Sequence, residues 1–213
     1  MHIALIGATG FVGTALLNEL LQRGHRVTAL ARDPAKLPLR EGLTVVQANA
    51  TDAAQVAQAV RGVDAVASAY NPGWTHPDLH DEFLRGSRAI TAGVKAAGVQ
   101  RLLVVGGAGS LYVAPNLQLI DTPDFPAEYK EGAEGARQAL NLLQTETALA
   151  WSFISPPALL QPGARSGQFR IGGDQLLMNG DAPAQISVAD LAVAIIDELE
   201  RPHHLRQRFT VGY

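Results

Sequence analysis

The fold follows from the stretch Met-His-Ile-Ala-Leu-Ile-Gly-Ala-Thr-Gly-Phe-Val-Gly at residues 1–13. Residues 3–6 form a short apolar run with β-branched members, which is typical of a strand buried in a parallel sheet. Gly7 ends that run, and leucines at helical spacing follow until Gly24. The stretch therefore predicts a buried strand, a glycine turn and a helix.

Gly7, Gly10 and Gly13 give the turn the spacing G-x-x-G-x-x-G. In a dinucleotide-binding turn the first glycine permits the tight bend. The second lets the pyrophosphate approach the backbone, and the third lets the helix pack closely on the strand. The free N–H groups at the helix start favour phosphate, whereas a plain strand-to-helix turn is the alternative interpretation. The residues expected to contact a dinucleotide are Gly7, Thr9, Gly10, Phe11, Val12 and Gly13.

The end of the second predicted strand, Arg26–Ala31, indicates which dinucleotide binds. An acidic residue at this position would bind the ribose hydroxyls of NAD, but the chain continues with Arg32. A guanidinium here can hold a 2′-phosphate, which favours NADP over NAD. Asp33 is better explained as a helix N-cap with Pro34 in the first helical position. The alternative for Arg32 is a solvated surface charge.

Later strands are predicted at Leu43–Gln47, Val63–Ala69, Arg101–Val105 and Ala148–Ile154. Open α/β sheets bind ligands at the carboxyl ends of their strands, so the residues that follow these strands are candidates for cofactor binding. Asn49 and Ala50, after the third strand, would face the adenine. Gly106 and Gly107, after the fifth strand, would let a nicotinamide approach the backbone closely. The set is Asn49, Ala50, Ala69, Tyr70, Gly106, Gly107, Ser155 and Pro156.

Two side chains are candidates for the chemistry. Ser110 comes after the fifth strand and would stand beside the nicotinamide, and Tyr129 begins the next helix. The alternatives are a turn-capping role for Ser110 and a packing role in the first helical turn for Tyr129. Trp74, in the loop after the fourth strand, is expected either to cover the cleft or to pack on its own loop.

Residues 156–186 are rich in glycine and proline, and we interpret them as a flap on the substrate side of the site. Within the flap, Gln168–Ile171 and Gln175–Met178 are predicted to pair as a hairpin. Asp52 is predicted to cap a helix at Ala53–Val60, and Ser187 is predicted to cap the last helix. A strand at Arg208–Val211 closes the sheet.

Composition limits the classes of function. The 213 residues carry a net charge of −3 and no cysteine, which disfavours nucleic-acid binding and excludes disulfides and thiolate metal sites. We expect one domain, residues 1–213, with a small-molecule substrate, as a monomer or homodimer. His76 and His80 lie four apart, but Pro77 separates them and no third ligand is evident, so no metal is expected. No apolar run approaches a membrane span, and we expect a cytoplasmic protein.

Several of these segments together resemble the atypical short-chain dehydrogenase/reductases, and within them the NADH-flavin-reductase and biliverdin-reductase-B-like group. The resemblance implies an α/β Rossmann-type fold, a doubly wound parallel sheet with helices on both faces. It also implies a bound NADP, or NAD, and hydride transfer to FMN or a similar conjugated acceptor. It covers nearly the full length, and the segments that carry it are residues 7–13, 31–33, 105–111, 121–123, 128–129, 155–157 and 186–192.

One position departs from the typical pattern of that class. Typical members carry Tyr-x-x-x-Lys, in which the lysine lowers the pKa of the tyrosine, but here Tyr129 is followed at that spacing by Ala133. Lys130 is adjacent to Tyr129 and faces another side of the helix. Flavin reduction needs less from a protein acid than carbonyl reduction does, so the departure favours a flavin-like acceptor.

Two other functions are compatible with the sequence. The first is a non-catalytic redox sensor that binds NADP(H) and controls a partner protein, as the NmrA-like regulators that resemble this fold do. The second is a sugar-nucleotide or ketone reductase in which Tyr129 works unaided.

Overall fold

Strands and helices alternate along most of the chain, as the sequence predicts. The structure, a computed structural model, describes all 213 residues. The strands are β1 (His2–Ile6), β2 (Arg26–Ala31), β3 (Leu43–Gln47), β4 (Ala65–Ser68), β5 (Arg101–Val105), β6 (Tyr112–Ala114), β7 (Leu117–Gln118), β8 (Ala150–Ser155), β9 (Leu159–Gln161), β10 (Arg170–Gly172), β11 (Met178–Asn179), β12 (Ala182–Pro183), β13 (Gln185–Ser187) and β14 (Gln207–Gly212). The α-helices are α1 (Phe11–Gln22), α2 (Ala53–Ala59), α3 (Leu79–Ala96), α4 (Lys130–Gln144) and α5 (Val188–Glu200).

Eight of the strands form one sheet in the order β10-β14-β8-β5-β4-β1-β2-β3. All neighbours in it pair in parallel except β10, which runs antiparallel to β14. Helices α1 and α5 pack together on one face, and α2, α3 and α4 cover the other. The doubly wound Rossmann-type sheet is thereby confirmed.

The first strand shows why its sequence is apolar from Ile3 to Ile6. Ile3 and Leu5 belong to the core beneath α1 and α5, whereas Ala4 and Ile6 belong to the core on the opposite face. A strand in the middle of a parallel sheet is covered on both faces, so its buried side chains are apolar on both sides. The carboxyl end of this strand lies at the edge of the sheet where the glycine turn begins.

Three predicted helix caps are confirmed. Asp33 accepts a hydrogen bond from the backbone N–H of Ala35, and Pro34 opens the short 3-10 helix that follows. Asp52 accepts from two backbone N–H groups at the start of α2, and the Ser187 hydroxyl accepts from the backbone N–H of Asp190 at the start of α5. None of the five α-helices combines the length and apolar character needed to cross a membrane.

The predicted hairpin of Gln168–Ile171 with Gln175–Met178 is wrong. Strand β10 instead extends the central sheet, and Ile171 pairs with Val211 of β14. Strand β11 pairs with β12, and Gly180, with φ of +61°, provides the turn between them. The sequence pattern located the turn-rich region correctly. However, β10 pairs with the exposed edge of β14, and a local pattern cannot show a pairing between segments so far apart in sequence.

Two buried carboxylates hold the first half of the flap, residues 156–186, against the helices. Glu19 of α1 accepts two hydrogen bonds from the guanidinium of Arg165, each at 2.7 Å. Asp190 of α5 accepts from the backbone N–H groups of Ser166 and Gly167 and from the hydroxyl of Tyr213. This part of the flap therefore follows the face formed by α1 and α5.

Replacing Asp190 by asparagine should make stability less sensitive to acid. Burial raises the pKa of Asp190, but hydrogen bonds from Ser166, Gly167 and Tyr213 outweigh burial and hold the pKa below its usual range. Because the folded pKa lies below the unfolded one, the ionised carboxylate stabilises the fold above about pH 4, and this contribution is lost as the pH falls. Thermal melts at neutral and acidic pH should show a smaller drop in Tm for Asp190→Asn than for the wild type, and equal drops would contradict this.

Candidate functional site

In the glycine turn between β1 and α1, Gly7 and Gly13 are required by the fold, because a side chain at either position would clash with the backbone. Gly7 has φ of +84°, and a Cβ there would lie 2.4 Å from the carbonyl oxygen of Ala69. A Cβ on Gly13 would lie 1.9 Å from the carbonyl oxygen of Gly7. A Cβ on Gly10 would meet only that same oxygen, at 3.4 Å. Gly10 is therefore the glycine whose missing side chain leaves space outside the turn.

The start of α1 is free to receive an anion. Gly10 is its N-cap, no side chain caps the helix, and its first turn holds no acidic residue. Thr9 and Phe11 are exposed beside it, while Val12 packs partly against the core. Unpaired N–H groups at a helix start, together with the helix dipole, favour a phosphate group.

Arg32 lies exposed just after β2, at the same edge of the sheet. Its guanidinium has no protein partner, and only its backbone oxygen is bonded, by the Gln47 side chain at 3.3 Å. The neighbouring Asp33 is occupied as the N-cap. The guanidinium of Arg32 is thus free to bind a ligand, and its contact with a 2′-phosphate stays a prediction.

Replacing Arg32 by alanine should weaken NADPH binding by about tenfold to a hundredfold and leave NADH binding nearly unchanged. The guanidinium would lose its charge-assisted hydrogen bonds to the 2′-phosphate, which NADH lacks. Fluorescence titration with both cofactors measures the difference. Arg61→Ala removes the same charge from the turn before β4, at the opposite edge, and should affect neither. Equal losses of both cofactors for Arg32→Ala would show that this residue does not read the phosphate.

The candidate cofactor-binding residues that follow β3 and β4 lie at the carboxyl edge of the sheet. Asn49 is exposed, and its side-chain oxygen accepts from Thr51 within a turn. Ala50 is half-buried, and Ala69 lies against Gly7. The Tyr70 ring packs against α3, where its hydroxyl donates to the carbonyl of Glu82 at 3.1 Å. Burial raises the pKa of Tyr70 to about 12, so its hydroxyl stays neutral.

The two glycines after β5 differ in what they require. A Cβ on Gly106 would lie 1.9 Å from the ring of Phe153, so Gly106 is needed for packing inside the protein. A Cβ on Gly107 would meet only Ala136, at the ordinary distance of 3.6 Å. Gly107 therefore presents the more open backbone at this strand end, and its contact with a nicotinamide remains a prediction.

Ser155, the last residue of β8, carries an unsatisfied polar group. It is fully buried, and its hydroxyl has no hydrogen-bond partner, although its carbonyl accepts from Thr210. Pro156 follows it and is also buried. Buried hydroxyls are nearly always paired, so an orphan at the ligand edge of the sheet fits a polar group from a bound molecule.

Ser110 lies beneath the surface, with 2% of it exposed. Its hydroxyl oxygen accepts a hydrogen bond from the guanidinium of Arg208 at 3.3 Å, and its carbonyl accepts from the same nitrogen at 3.1 Å. The hydroxyl hydrogen remains available for another acceptor. Arg208 was not among the residues predicted from the sequence, although a charged residue near the start of a strand in the main sheet was a visible signal.

Tyr129 ends a 3-10 turn at the start of α4 and forms a pair with Trp74. The ring centroids lie 5.5 Å apart at 79°, an edge-to-face arrangement. Tyr129 is 49% exposed and Trp74 is 57% exposed, so the pair presents aromatic surface to solvent. Trp74 therefore packs against Tyr129, which lies 55 residues later in the sequence.

Ala133, one helical turn after Tyr129, is buried against the turn that carries Ser110. A Cβ added to Gly109 would lie 2.9 Å from the Cβ of Ala133. The position that holds a lysine in typical short-chain dehydrogenases thus holds a packing methyl group here. Lys130, next to Tyr129 in the chain, is exposed on another side of the helix and does not take the place of that lysine.

This geometry agrees with the comparison to known proteins. A family described as NAD(P)H-binding matches residues 7–201. The chain belongs to this NAD(P)H-binding family. The free helix start, the unpaired Arg32 and the orphaned Ser155 hydroxyl all fit a nicotinamide dinucleotide at the carboxyl edge of its sheet.

Similar proteins include the uncharacterised protein YwnB of Bacillus subtilis, 39% identical over 99% of this chain and 98% of that protein. A structure from Bacteroides thetaiotaomicron, described as a "putative epimerase", is 44% identical with a TM-score of 0.93 and covers 100% of this chain and 96% of that one. A "putative NADH-flavin reductase" from Streptococcus pneumoniae is 34% identical with a TM-score of 0.87 and covers 100% and 99%. Of these three names, that of the Streptococcus pneumoniae protein specifies a reductase, whereas that of the Bacteroides thetaiotaomicron protein specifies an epimerase.

Proposed function

We propose that this member of the NAD(P)H-binding family is an NADPH-dependent reductase whose acceptor is a planar conjugated molecule such as FMN. The observation that carries the proposal is the burial of Ala133 against Gly109, because it leaves Tyr129 without the cation that would make it a proton donor. The site consequently lacks the tyrosine–lysine pair that ordinary carbonyl reduction uses. It retains groups that can bind a dinucleotide and an aromatic acceptor.

Each part of the site has a role in this proposal. The backbone at Gly10 and the start of α1 would hold the pyrophosphate, and Arg32 would hold the 2′-phosphate. NADPH would supply the hydride, so the role of the protein is to hold the nicotinamide and the acceptor in the orientation that hydride transfer requires. Gly107 and Ser155 would border the nicotinamide, and Ser110 would donate its free hydroxyl hydrogen near the reacting rings.

The exposed pair of Trp74 and Tyr129 would provide the surface on which the acceptor stacks. Aromatic rings stack on planar conjugated molecules with little demand for specific hydrogen bonds. Because this rim is open to water, the proton that completes the reduced acceptor can come from solvent. Tyr129 is the second candidate hydrogen-bond donor at this rim.

A panel of acceptors tests the proposal. Purified protein should oxidise NADPH when FMN is added, and quinones and biliverdin serve as further planar acceptors. If NADPH binds but none of these accelerates its oxidation, the reductase proposal fails and the redox-sensor function becomes the better account.

Trp74→Ala should raise the KM for FMN by about tenfold with a smaller change in kcat, because it removes stacking surface rather than the hydride donor. Trp74→Phe keeps an aromatic ring and serves as the matched control, so its KM should stay near that of the wild type. Steady-state kinetics at saturating NADPH measures both. An unchanged KM in Trp74→Ala would remove this residue from the acceptor site.

A further inference from the structure

The strongest unexplained feature is a buried arginine that joins three separate parts of the chain. Arg208, near the start of β14, is 3% exposed at its side chain. Its guanidinium donates to the carbonyl and hydroxyl oxygens of Ser110, and to the carboxylate of Asp174 at 2.6 Å. The same guanidinium donates to the Asp174 carbonyl at 3.3 Å. Asp174 lies in the flap, so one side chain connects the flap to the turn after β5.

Backbone contacts extend this connection. The N–H of Tyr112 donates to the carbonyl of Asp174, and the N–H of Leu176 donates to the carbonyl of Tyr112, both at 2.9 Å. The flap therefore pairs with the chain directly after Ser110. Arg208 adds an ion pair to this pairing, through the carboxylate of Asp174.

We infer that Arg208 is a positioning residue, which fixes the Ser110 hydroxyl and makes its orientation depend on the flap through Asp174. A charge-assisted hydrogen bond onto the hydroxyl oxygen directs the hydroxyl hydrogen away from Arg208. Asp174 in turn holds the guanidinium in place, because a buried cation needs a fixed anionic partner. The inference rests on the proposed function, in which the Ser110 hydroxyl contacts the reacting rings.

The position of Asp174 makes the inference testable without removing the buried arginine. The Asp174 side chain is 62% exposed, so Asp174→Asn removes one charge with little loss of packing. Asp181, in the β11–β12 turn of the same flap, is exposed and has no ion-pair partner, so Asp181→Asn is the matched control. Arg208→Lys keeps the charge but cannot form the forked set of bonds.

The experiment is a double-mutant cycle between Asp174→Asn and Ser110→Ala, measured as kcat with FMN at saturating NADPH. Asp174→Asn and Arg208→Lys should each lower kcat by about tenfold, which is typical of losing a residue that orients a group in contact with the substrate. The dissociation constant of NADPH should change by no more than about twofold. In the Ser110→Ala background, Asp174→Asn should lower kcat no further, since both act through one hydroxyl. Independent, multiplying losses, or a loss equal to that of Asp181→Asn, would overturn the inference.

A second readout separates this inference from the proposed function. If the wild type oxidises no NADPH with any acceptor, the proposed function fails and amide hydrogen exchange decides the positioning claim. Asp174→Asn and Arg208→Lys should then speed exchange at the amides of Tyr112 and Leu176, and Asp181→Asn should not. Unchanged exchange in the first two variants would overturn the claim.

Discussion

Replacing Gly10 by valine should abolish NADPH binding while leaving the protein folded. Gly10 has φ of −83°, which any residue adopts, and a Cβ there has no close neighbour other than the Gly7 carbonyl at 3.4 Å. The valine would instead occupy the space in front of the α1 N–H groups, where the pyrophosphate is expected. Losing this approach should weaken binding by about a hundredfold or more, whereas the poorer N-cap should lower the Tm by only about 2–4 °C.

Fluorescence titration and thermal melting measure these two effects separately. Gly173→Val is the matched control, because Gly173 lies in the flap with no atom within 4 Å of an added Cβ. Gly13→Ala provides the opposite contrast, since its Cβ would lie 1.9 Å from a backbone oxygen and should destabilise the fold itself. If Gly10→Val bound NADPH as the wild type does, the glycine turn would not be the phosphate site.

Replacing Glu198 by alanine should produce the largest loss of stability, about 3–5 kcal/mol, without changing the affinity of the folded protein for NADPH. Glu198 of α5 is buried and accepts from the side chains of Arg101, Ser152 and His204, the first two at 3.1 and 2.9 Å. Burial raises the pKa of Glu198, but hydrogen bonds, first among them that from His204, outweigh it and lower the pKa. The variant would leave the buried Arg101 guanidinium without its anion.

Urea denaturation measures this loss, and Asp197→Ala supplies the control on the same helix. Asp197 pairs with Arg23, but its side chain is 41% exposed, so its removal should cost only about 0.2–1 kcal/mol. Arg101 begins β5, which places this network at the edge of the sheet opposite the glycine turn. Equal losses in the two variants would show that the buried network contributes no more than a surface ion pair.

Elements whose signals are local were predictable from the sequence. The buried strand β1 and the glycine turn follow from an apolar run and a fixed spacing, and the caps Asp33, Asp52 and Ser187 follow from side chains that bond their own neighbours. The parallel sheet follows from the alternation of strands with helices. In each of these cases the determining residues lie within a few positions of one another.

Contacts between distant segments were not predictable in the same way. Strand β10 pairs with the edge of the central sheet instead of its neighbour in sequence, and Arg208 reaches Ser110 across 98 positions. The contact between Ala133 and the turn at Gly109 depends on how closely α4 approaches that turn. Such contacts are determined by the packing of whole elements, so a one-dimensional pattern identifies the residues without showing which of them meet.

The central claim is that a dinucleotide bound at the glycine turn reduces a planar acceptor held beside Tyr129 and Trp74. Anaerobic mixing of the protein with NADPH and FMN tests it most directly, because the absorbance of both compounds can be followed without reoxidation by oxygen. The account predicts that the two absorbances fall together in a one-to-one ratio in the wild type, and that neither falls in Gly10→Val. Binding of NADPH by the wild type with no loss of FMN absorbance would contradict it.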